Sequence, residues 1–133
     1  MRGLIVISLI TVLGAGAAVA RGPLKEFDPV KTGLIEIGIA DAIRKKCDTI
    51  SPRMWRAYTR LETLKTLAQA AGYSDEEIKA YVKDKAEKKR LLGIADRYMA
   101  ERGVTKGDSE SYCRLGVAEI AKDSQIGRLL RAK

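Results

Sequence analysis

Leu34-Ile35-Glu36-Ile37-Gly38-Ile39-Ala40-Asp41-Ala42-Ile43-Arg44-Lys45-Lys46-Cys47 is the stretch on which the fold class turns. Its first six residues alternate as a half-buried strand would, yet Ile35, Ile39 and Ile43 recur at i, i+4 and i+8, along one face of a helix. Ala40, Ala42, Arg44, Lys45 and Lys46 are good helix formers, and no other segment offers itself as a partner strand. We read it as a helix that carries Cys47 near its C-terminal end, which makes the domain all-α.

Toward the C-terminus the helical signals are denser. Ser51 suits an N-cap and Pro52 a first helical position, where its missing N–H is harmless. Met54, Tyr58, Leu61, Leu64, Ala68 and Ala71 then recur at helical spacing up to a stop at Gly72. Ser74 and Glu77 form a capping box that opens a third helix, read as running through Tyr81, Leu91, Leu92, Tyr98 and Met99 to Gly103, with Gly93 its weak point. Inside it, Lys83 to Arg90 has almost no core face and reads as a solvated section laced with local ion pairs. Asp108 caps a segment carrying Tyr112, Cys113, Val117 and Ile120, and Ser124 caps a last turn with Ile126, Leu129 and Leu130. The expectation is a small single-domain bundle over residues 32–133, of four to five helices with one long central helix and no strand.

Toward the N-terminus, residues 21–31 contain Pro23 and Pro29 and no apolar period, which predicts an extended arm. Residues 1–20 read as a secretory signal peptide: Arg2 is the positive n-region, Leu4 to Leu13 the apolar h-region, and Ala18-Val19-Ala20 a small-residue cleavage site. An uncleaved anchor is the competing reading, but residues 4–20 fall short of the roughly 20 apolar residues of a spanning helix. The expected location is periplasmic or secreted. Loss of Arg2 with the leader takes the chain's net charge from +8 to +7, spread over the remaining residues.

Export changes the meaning of the two cysteines. Cys47 and Cys113 are the only ones, so an oxidising compartment allows a single disulfide, worth about 4 kcal/mol in the loop-entropy picture. No metal is expected, because the chain has no histidine and two isolated thiolates cannot fill a zinc shell. No cofactor is expected either, since the glycines are dispersed rather than gathered in a phosphate-binding loop.

The same inventory weighs against catalysis. The commonest general base is missing, and no Gly-x-Ser-x-Gly or Ser-x-x-Lys motif surrounds a serine. A small hydrolase using carboxylates such as Glu36, Asp41 or Glu62 is the alternative reading, without any mark that these acids are paired. The positive signal is a surface. Arg53, Arg56 and Arg60 fall on one flank of the second helix and Trp55 stands beside them, off the apolar stripe, where it either marks a contact surface or is covered by another element. Guanidinium forks suit an acidic protein or an anionic membrane surface, and nucleic acid is a poor partner for an exported chain. The reading is an exported, non-enzymatic interaction module, an accessory subunit or adaptor of an envelope complex.

The leader, Ala40-Asp41-Ala42-Ile43-Arg44 with Cys47, Gly72-Tyr73-Ser74-Asp75-Glu76-Glu77-Ile78, Tyr112-Cys113-Arg114-Leu115-Gly116 and Ser124-Gln125-Ile126-Gly127-Arg128-Leu129-Leu130 together resemble a family of small exported bacterial proteins carrying a domain of unknown function. The resemblance implies export and a helical two-cysteine domain, and it brings no activity or catalytic residue.

Overall fold

In the computed structural model, which describes residues 22–133, the deciding stretch is helical. It forms most of α1, Asp28–Lys46, which starts six residues earlier than Leu34 because Pro29 occupies its first turn. The extended arm read over 21–31 therefore narrows to the residues before Asp28, and within it Leu24–Glu26 makes a 3-10 turn. The leader lies outside the described residues.

α1 is the spine of the domain. Its first half, through Val30, packs with Leu24, Leu64, Ala68 and Tyr73, and its second half, through Ile39, Ala40 and Ile43, packs into a larger cluster with Ala95, Met99, Tyr112, Leu115 and Ile126. Complete burial of an isoleucine such as Ile43 contributes about 1.5–3 kcal/mol. The other helices surround it: α2, Met54–Ala70; α3, Asp75–Lys83; α4, Lys85–Glu101; α5, Ser109–Ala121; and the short α6, Gln125–Arg128. The described residues thus hold six helices rather than four or five.

Several local signals act as read. Gly72, at φ 93°, ends α2; Ser74 and Glu77 close a reciprocal capping box on α3; and Ser124 Oγ accepts from Gly127 N at the start of α6. Two others are corrected. Ser51 and Pro52 do not cap α2 but lie in a three-residue strand, β1 (Ile50–Pro52), antiparallel to β2 (Leu130–Ala132), with Ser51 opposite Arg131. Arg53 takes the N-cap position without a side-chain cap bond.

The long central helix is also corrected, since it breaks at Asp84 and not at Gly93, which stays inside α4. Asp84 has extended backbone, its N–H donates to the Tyr81 carbonyl, and its carboxylate accepts from Glu87 N at 3.0 Å, capping α4. Glu87 itself turns inward and is only 6% exposed, where it accepts from Arg90 at 2.6 and 2.9 Å and from the Tyr81 hydroxyl at 3.3 Å. The charged run is therefore partly a packed corner. Burial, with Glu87's charge beside it, pushes the Tyr81 hydroxyl up to about 12.

Candidate functional site

The Cys47–Cys113 disulfide is formed, with Cα atoms 5.1 Å apart, and ties the C-terminal end of α1 to α5. The Thr49 hydroxyl donates to Cys113 Sγ at 3.8 Å. This covalent tie and the two-stranded ladder hold the start of α2 against the C-terminal segment, and that junction carries the arginines singled out in the sequence.

The three arginines divide. Arg53 is drawn into the junction: its N–H donates to the Leu129 carbonyl at 2.8 Å and its Nε to the Leu130 carbonyl at 3.0 Å. Arg56 donates to the Arg128 carbonyl at 3.1 Å, and Arg60 pairs with Glu36 of α1 at 3.3 Å. Arg56 and Arg60 line a shallow depression of about 590 Å³ together with Trp55, Thr59, Asp123 and Arg128, and Arg53 is not part of it. Sequence spacing missed Arg128 and Asp123, which enter from the far end of the chain. Asp123 sits at φ 50° just past the end of α5 and pairs with Arg128 at 3.0 Å. The Arg128 hydrogen bond and charge, with Arg56 farther off, hold its carboxyl below the usual range. Arg60 is paired with Glu36 and Arg128 with Asp123, so Arg56 leaves the depression positive on balance.

Trp55 is not covered. It is 77% exposed, and its ring lies 5.7 Å from that of Tyr58, tilted by 30°. The apolar stripe read along α2 is in fact buried only at Leu64 and Ala68, while Met54 and Tyr58 remain 64% and 56% exposed. One turn of helix thus presents an aromatic pair beside cationic groups, the side-chain types that anchor protein interfaces.

On the opposite flank of α2 lies a second concavity, an apolar groove of about 460 Å³. Ile37 and Gly38 of α1 are among its lining, Met54 and Leu61 come from α2, and Leu91 and Leu92 from α4. α2 lines both concavities from opposite flanks and so forms a wall between them, and Leu129 borders both.

Of the acids named for catalysis, two are held in ion pairs. Glu36 is held by Arg60, and Asp41 by Arg44 at 2.7 Å and Lys45 at 2.6 Å; partial burial raises the Asp41 pKa, but those two cations outweigh it and leave it lowered. Glu62 is exposed on α2. The fully buried acid is one the sequence did not single out, Glu119, whose carboxylate accepts from Ser124 Oγ, from the Tyr98 hydroxyl at 2.8 Å and from Lys122 at 3.0 Å. Burial pushes Glu119 up, and these donors together bring it below the ordinary range. A general acid needs a carboxyl held above that range. Asp41, Glu87, Glu119 and Asp123 all move the other way. No group of three or more metal-binding side chains occurs among the described residues.

Residues 22–131 match the sequence profile of DUF5333, described as a family of unknown function. The chain belongs to the DUF5333 family. The DUF5333 match takes in both cysteines, β1, all six helices and both concavities. No curated protein and no solved structure matches the chain.

Proposed function

We propose that this DUF5333 domain is an exported, non-enzymatic interaction module, an accessory subunit or adaptor of an envelope complex, that docks an acidic protein on the Trp55 surface. The observation that carries the reading is the exposed Trp55–Tyr58 pair beside a depression that Arg56 leaves positive on balance. A large aromatic supplies contact area at small entropic cost, and neighbouring guanidinium groups select carboxylates. The disulfide supports export. The carboxylate-hydrolase reading gains no support from Glu36 and Asp41, which are held in ion pairs.

The test is affinity purification from envelope extracts with the wild-type chain and with Trp55→Ala. A stoichiometric acidic protein captured by the wild type and lost in the variant is expected. Capture that survives Trp55→Ala refutes the surface assignment, and turnover of a glycan or ester by the purified protein refutes the module.

A further inference from the structure

The apolar groove on the other flank of α2 is a separate site. Its volume of about 460 Å³ lies within the range of small-molecule pockets, which are mostly apolar with a few polar groups that fix orientation. Its floor includes Gly38, in the interior of α1. A helix-interior glycine costs stability relative to alanine; close packing accounts for it at Gly33, where a Cβ would run into Leu64, and at Gly116, where one would run into Ile50 and Ile43, but not at Gly93 in α4, where a Cβ would meet nothing within 4 Å. A Cβ at Gly38 would meet nothing nearer than Leu92 Cδ2, at 4.0 Å. Internal packing thus gives no reason for glycine here, and the space above it is the groove itself.

The charges on the rim say what kind of head group fits. Asp41 and Glu87 line the groove, but each is already neutralised, Asp41 by Arg44 and Lys45 and Glu87 by Arg90. The Arg44 fork is committed to Asp41 through both Nε and a terminal nitrogen. Lys88, also on the lining, has no ion-pair partner among the described residues. A single free ammonium suits a monoanionic carboxylate, whereas a phosphate would call on the arginine fork that is already occupied.

We propose that the groove binds a single-chain fatty-acid carboxylate, its alkyl chain lying over Gly38 between α2 and α4 and its head group paired with Lys88. The site is independent of the Trp55 surface, since Met54 and Leu61 face one concavity of α2 and Arg56 and Arg60 the other.

Calorimetric titration of the purified protein with palmitate tests it. Saturable one-to-one binding is expected, weakened at least about tenfold by Gly38→Leu, which fills the floor, and by Leu61→Glu, which makes one wall polar. Leu61 is already partly exposed, so the second variant reports on the site if the first fails to fold. Lys88→Gln should weaken palmitate about threefold to tenfold and leave hexadecanol, the neutral-headed chain, unaffected. Absence of saturable palmitate binding overturns the proposal, as does binding that both groove variants retain. Equal affinity for palmitate and hexadecanol overturns the head-group pairing. If palmitate does not bind and Gly38→Leu instead abolishes self-association or capture of a protein, the groove is a protein-docking face and the proposal falls.

Discussion

Arg53 Nε donates to the carbonyl oxygen of Leu130 at 3.0 Å, a bond that spans 77 positions of sequence and fastens the start of α2 to β2. Arg53 is partly buried there, so its charge serves the fold and not the neighbouring depression. Arg53→Gln should therefore lower stability by about 1–2 kcal/mol, the usual cost of losing a charge-assisted hydrogen bond, while leaving partner capture unchanged. Denaturant melts beside the pull-down check both halves; lost capture with an unshifted melt would return Arg53 to the binding surface.

The disulfide predicts a larger effect. Intact mass with alkylation should reveal no reactive thiol until the protein is reduced, and Cys47→Ser or Cys113→Ser should cost about 2–5 kcal/mol. Two alkylatable thiols in the unreduced protein would contradict the pairing.

How much of this was legible follows from where each interaction partner lies along the chain. The caps at Ser74 and Ser124 and the stop at Gly72 depend on residues within one turn, and they stand as read. The β1–β2 ladder joins residues some eighty positions apart and only three long, too short to show an alternation, so Ser51 and Pro52 looked like a helix start instead. The same long-range closure delivers Arg128 and Asp123 to Arg56 and removes Arg53, which no helical projection of α2 alone can reveal. The break at Asp84 did leave a signal: Asp84 precedes Glu87 at cap spacing inside the charged run. What obscured it was Glu87, an acid whose burial depends on Tyr81 and Arg90 meeting around it.

That corner gives a further expectation. Asp84→Ala removes the cap on Glu87 N and should cost about 1 kcal/mol. A thermal melt measures it; an unchanged or higher melting temperature would mean that α3 and α4 fuse into one helix without penalty.

Acid should act through Glu119. Its folded pKa lies below the ordinary 4.5, so the unfolded chain binds its proton more readily than the native one. The stability from this ionised carboxylate is present above pH 4.5 and is lost as the pH falls from there through the lower folded value. Asp41 and Glu87 shift the same way, so the contribution of Glu119 is isolated by comparing melts of the wild type and Glu119→Gln between pH 7 and pH 3. The variant should be less stable at pH 7 and decline less steeply below pH 4.5. Parallel curves would show that Glu119 is not held ionised by Ser124, Tyr98 and Lys122.

The Trp55 surface makes the strictest demand, because it separates binding from the arginines' structural bonds. If an acidic protein docks there, attraction across the exposed depression must weaken as salt shortens the Debye length from about 10 Å at 0.1 M to about 3 Å at 1 M. Arg56→Gln with Arg128→Gln should reduce affinity about tenfold or more at 0.1 M salt and flatten its salt dependence, at small cost to the melt, because both side chains are exposed. Arg60 is half-buried against Glu36, so Arg60→Gln should lower both affinity and stability. Trp55→Ala should cost about 2 kcal/mol or more of binding with its salt dependence intact, since it removes contact area and not charge. If the double arginine variant loses stability but keeps its affinity and salt dependence, the arginine stems only cover the core edge, and the partner does not dock on this surface.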